Sequence, residues 1–143
     1  MFTDQTGAFP ITSNRGVKYV YTAYYYDVNK IFKRGLKSKK KEHLLEAHQE
    51  VYKILTRAGC KPSYHRLDIE APANLLDFLA DEGIDFQLAA PNDHRTNTAE
   101  RAIHTAKNHL IAGLATCEED FPLKLWDRLL AQSELTLNLL RGS

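Results

Sequence analysis

The sequence predicts an α/β fold, a mixed sheet flanked by helices, and two observations carry that expectation. The first third of the chain is dense in Val and Tyr between turn residues. From residue 37 onward, apolar residues at helical spacing alternate with short apolar runs. Early hairpin-linked strands followed by alternating helix and strand give a sheet that starts antiparallel and continues parallel. At 143 residues, 43% hydrophobic and 26% charged, the chain suits one domain with a single core.

Phe2 to Gln5 reads as the stub of a first strand. Val17 to Tyr26 (VKYVYTAYYY) follows as a second, bounded by Ser13-Asn14-Arg15-Gly16 and Asp27-Val28-Asn29. Lys30 to Leu36 is its hairpin partner, with Asp27 and Asn29 in the turn. The next stretch places Leu44, His48, Val51, Tyr52 and Leu55 on one stripe before Gly59, an amphipathic helix with a stop. Ser63 to Leu67 makes a short strand ending on Asp68. Pro72 opens a helix whose apolar face is Leu75, Leu76 and Leu79. After Gly83 come a strand from Ile84 to Ala89, a polar loop from Pro91 to Thr98, and a helix from Ala99 to Leu114. Phe121 to Leu140 is expected to form one long helix on Trp126, Leu129, Leu130, Leu137 and Leu140.

Charge excludes little. Lys and Arg total 19 against 18 for Asp and Glu, so any basic surface must be local. Cys60 and Cys117 lack CxxC spacing and the density of a disulfide scaffold, which favours a reducing compartment. The sequence has neither an apolar run of membrane-spanning length nor the pattern of a signal peptide near Met1, and the expectation is an intracellular protein. The histidine spacings suit zinc poorly, and no structural zinc is expected.

Three acids stand at the ends of elements: Asp4 in the first strand, Asp68 closing the fourth, and Glu100 in the first turn of the helix after the polar loop. Side chains beyond strand ends in an open sheet can converge. Three convergent carboxylates would ligate a hard divalent cation and suit phosphoryl transfer. The competing explanation is ordinary turns and helix caps, since any triple can be drawn from 18 acidic residues.

The segments around these acids resemble the integrase catalytic core of copia-like retrotransposons, within the DDE superfamily of RNase H-like folds. TDQTGAFPITSNRGVKYV is similar to the family's opening strand, RLDIEA to its second motif, and GIDFQLAAPNDHRTNTAERAIHTAKNHL to its third. FPLKLWDRLLAQSELTLNLLR is similar to its final core helix. The resemblance implies a five-stranded mixed sheet in the order 3-2-1-4-5, with Asp4, Asp68 and Glu100 as the catalytic, metal-binding triad for two Mg²⁺ or Mn²⁺ ions. It implies DNA 3′-end processing and strand transfer, with DNA contacts at Asn97, Thr98, Arg101, His104 and Lys107. Of these, His104 and Lys107 follow Glu100 at i+4 and i+7 on one helix face. The run Lys37, Lys39, Lys40 and Lys41 is a further phosphate candidate, although a solvated helix start explains it at least as well.

Departures from the family pattern are Ile69 where it has Asn, Ala71 near its Gly, and a second gap that is a few residues short. Sixty-three residues separate Asp4 from Asp68, and 31 separate Asp68 from Glu100. The expectation is one core domain over residues 1–143 from a larger polyprotein, its first strand cut short. It is expected to self-associate through the last helix, and to reside in the nucleus and in a cytoplasmic virus-like particle. The alternatives are a hydrolytic nuclease of the same fold, and a decayed core that only binds nucleic acid or dimerises.

Overall fold

The computed structural model describes residues 1–68, 71–89 and 97–142; the side chains of Asp68, Asn97 and Thr98 lie outside the description. Five strands, β1 (Phe2–Gln5), β2 (Tyr19–Tyr25), β3 (Lys30–Leu36), β4 (Tyr64–Asp68) and β5 (Asp85–Ala89), form one sheet in the order β3-β2-β1-β4-β5. β1, β2 and β3 pair antiparallel, whereas β4 runs parallel to both β1 and β5. The expected mixed sheet and strand order are both observed. Helices α1 (Lys41–Arg57), α2 (Ala73–Asp81), α3 (Asn97–Ala115) and α4 (Leu129–Leu140) cover it.

The tyrosine-rich β2 lies next to the middle of the sheet, and Val20 through Tyr25 are all buried. Its alternation serves two cores rather than one. Tyr21, Ala23 and Tyr25 pack with Leu44, Ala47, Val51 and Leu55 of α1. Tyr24 packs on the opposite side with Ala102, Ile103 and Ala106 of α3 and Leu137 of α4. The hairpin turn to β3 is a short 3-10 helix, Tyr26–Val28, closed by Asn29 at φ 52°. Asparagine tolerates this left-handed conformation better than most residues.

β3 is an edge strand, and α4 satisfies part of its backbone. Asn138 accepts from the Ile31 amide at 2.9 Å and donates to the Ile31 carbonyl at 2.7 Å, while Glu134 accepts from the Lys33 amide at 2.6 Å. This blocks pairing with another strand there.

The single long helix expected from Phe121 to Leu140 is instead two segments, a 3-10 helix over Leu123–Arg128 and then α4. Long-range tethers hold the first segment to the loop between β1 and β2. Trp126 stacks on Phe9 at 4.2 Å between ring centroids and donates its indole N–H to the Ile11 carbonyl at 2.8 Å. The buried Asp127 carboxylate takes Arg15 Nε at 2.7 Å. Trp126 is thus part of this chain's own core. β2 is also shorter than expected at both ends: the Ser13 hydroxyl accepts from the Val17 amide at 3.0 Å ahead of its start, and Tyr26 belongs to the 3-10 turn after its end.

Candidate acidic cleft

β1, β4 and β5 are parallel and end on the same side of the sheet, at Gln5, Asp68 and Ala89. Beyond strand ends the backbone needs no lateral partner, so side chains there are free for chemistry. A cleft of about 690 Å³ opens at this end, lined by Asp4, Leu67, Ala89, Glu100, His104 and Lys107 among others. Asp4 and Glu100, which are 96 positions apart, therefore face one space. The β1–β4 pairing aligns Phe2 with Arg66, and Asp4 and Asp68 each lie two residues further along their strands. The backbone thus brings all three acid positions to one end of the sheet.

α3 forms the facing wall because its apolar stripe of Ala99, Ala102, Ile103 and Ala106 is buried against the sheet. Burying that stripe leaves Glu100, His104 and Lys107 toward the cleft at i, i+4 and i+7. Arg101 also lines it, with Thr105 donating to its carbonyl at 2.8 Å. Asn108 and His104 Nδ1 lie 3.2 Å apart on the same helix. Asn97 and Thr98 open α3, and Asp68 closes β4; what their side chains touch, and the rest of the polar loop, fall outside the described residues.

Asp4 has its own partners. Its Oδ1 accepts from the Gln5 amide at 2.7 Å, and its Oδ2 takes the Lys107 ammonium at 2.7 Å. Sequence reasoning assigned Lys107 to DNA and did not foresee this ion pair across 103 positions. The available signal was its i+7 relation to Glu100, which turns it toward whatever Glu100 faces. Lys39 is the second surprise. Alone of the lysine run it lines a smaller cleft, about 200 Å³, that reaches Asp4 from the α1 side, and its ammonium lies 5.4 Å from the Tyr19 ring centroid.

Directly behind this site lies a buried histidine pair that sequence reasoning missed. His48 of α1 and His65 of β4 are both fully buried and stack at 4.8 Å. The His48 ring nitrogen Nδ1 bonds the Tyr21 hydroxyl at 2.9 Å, and His65 Nε2 bonds the Thr3 hydroxyl at 3.2 Å. Burial pushes His48 down to about 4, and burial together with the neighbouring His48 pushes His65 well below its usual value.

Among the described residues, no three His, Cys, Asp or Glu side chains gather closely enough to hold a metal. The donor chemistry nonetheless fits a hard divalent cation. Two carboxylates share the cleft, and the Asp4 side chain is 47% exposed, so its oxygens are within reach of a hydrated ion.

No family model matches the sequence, and no curated protein matches it either. Solved structures do match. The catalytic core domain of BIV integrase aligns with a TM-score of 0.70 at 15% identity, covering 99% of this chain and 84% of that one. The HTLV-2 integrase catalytic core domain in complex with magnesium aligns at 0.71 and 17% identity, covering 98% and 84%. A simian T-cell lymphotropic virus intasome, in complex with PP2A regulatory subunit B56 gamma, aligns at 0.75 and 15% identity, covering 98% of this chain and 48% of that one. The chain thus has the fold of a retroviral integrase catalytic core.

Proposed function

We propose that this domain is the catalytic core of a DDE-type integrase, from a copia-like retrotransposon, that processes and joins DNA ends with two Mg²⁺ or Mn²⁺ ions. The observation that carries this reading is the shared cleft of Asp4 and Glu100 at the sheet end where β4 stops on Asp68. The fold and the magnesium in complex with the HTLV-2 integrase core support it. Asp4 and Asp68 would hold one ion, and Asp4 and Glu100 the other. When bound, the ions supply Lewis-acid activation of water or a DNA 3′-hydroxyl and stabilise the departing oxygen. The chain's own residues position the DNA. Arg101, His104 and Lys107 present cationic and hydrogen-bonding groups along the α3 wall, suited to a phosphate backbone running past the acids. Asn97 and Thr98, at the start of α3, belong to the same proposed contact surface.

Self-association through α4 is part of the same proposal. Leu135, Leu139 and Leu140 on that helix are 56%, 77% and 75% exposed, an apolar surface that a second copy would cover. The HTLV-2 core is described in dimeric and trimeric forms. Residues 1–143 would then be the core domain within a longer polyprotein.

Calorimetric titration with Mn²⁺ tests the metal site directly. The wild-type domain should bind the ion and an Asp68→Asn variant should not. Equal heats from both proteins, or none from either, would defeat the reading.

A further inference from the structure

Among the described residues, Lys107 is the one lysine lining the cleft, and it stands seven positions after Glu100, two turns along the same face of α3. Its ammonium does not project into open solvent. It sits 2.7 Å from Asp4 Oδ2, while the other Asp4 oxygen is taken by the Gln5 amide. A divalent cation ligated by Asp4 needs a carboxylate oxygen, and it would repel an ammonium held 2.7 Å from that oxygen. The two cations therefore draw on the same group.

We propose that the Lys107 ammonium and a divalent metal ion compete for the Asp4 carboxylate, so that metal binding releases Lys107 from Asp4 toward a DNA phosphate. This rests on the metal-site reading above and adds to it an order of events. Because linkage is reciprocal, whatever draws Lys107 away from Asp4 also favours the ion. A phosphate reaching the α3 wall is such a group: it would take the ammonium and leave Asp4 open to metal. Metal and DNA would then load cooperatively although they touch different side chains. The exchange is feasible because the pair is half open, with side-chain exposures of 32% for Lys107 and 47% for Asp4, and exposed ion pairs are weak enough to be replaced.

The test is Mn²⁺ titration calorimetry at fixed ionic strength on the wild-type domain, Lys107→Met and Lys107→Arg. Removing the competing charge should tighten Mn²⁺ binding roughly threefold or more in Lys107→Met. Lys107→Arg retains a cation and should stay near wild type. A tighter site cannot arise from a damaged fold, so this readout separates competition from a structural role. Equal or weaker binding by Lys107→Met, with the wild type still binding the ion, overturns the competition and leaves the metal site standing. If no variant binds Mn²⁺, both ideas fall together.

Discussion

Thr3 and Asp4 are adjacent in β1, yet strand alternation sends them to opposite environments. Thr3 meets the His65–His48–Tyr21 chain, where both imidazoles have no solvent exposure and are held neutral by burial. Asp4 meets Lys107 in an open cleft, where the two side chains keep 47% and 32% of their surface. The first pair is locked by packing and contributes a rigid backing to the strand. The second is held by a contact that another cation can replace. The contrast teaches that one strand is closed by packing on one face and open to exchange on the other, so substitutions should divide by face and by depth.

The largest stability effect is expected far from the cleft. Trp126→Ala removes a ring that is 3% exposed, stacked on Phe9 and bonded to Ile11, and should cost about 3–5 kcal/mol by chemical denaturation. A near-neutral result with altered self-association would move Trp126 to an interface and blur the division.

A smaller effect sharpens the contrast between the two faces of β1. Folded His48 and His65 titrate below the ordinary histidine value of about 6.5, so between roughly pH 6.5 and 4 the unfolded chain binds protons that the folded one refuses. Stability is full above pH 6.5 and should fall on acidification by roughly 1 kcal/mol per pH unit for each histidine. Denaturation midpoints measured from pH 7 to pH 5 should show this slope, and His48→Gln should make it shallower. An unchanged slope in that variant would place the acid sensitivity elsewhere.

The parts of this architecture written in local pattern were legible. The Val and Tyr density of β2, the Leu44–Val51–Leu55 stripe of α1 and the Asn29 turn each depend on near neighbours, and each element formed about where it was expected. The break before α4 was not legible, because Trp126 and Asp127 are held by Ile11 and Arg15, more than 100 positions away. The three acid positions could be singled out at element ends. Their gathering depends on the β1–β4 register and on how α3 crosses the sheet, and the strand order that supplies this came from the family resemblance rather than from periodicity. The His48–His65 stack and the Lys107–Asp4 pair join different elements and leave no spacing signature at all.

The central proposal is that Asp4, Asp68 and Glu100 act as one metal-dependent unit, and the direct measurement is a strand-transfer assay on the proposed integrase carrying Glu100→Gln. The account predicts that this single change abolishes Mg²⁺- or Mn²⁺-dependent strand transfer as thoroughly as replacing all three acids together, because groups that act as a unit are not additive. Full metal-dependent strand transfer by Glu100→Gln would contradict it.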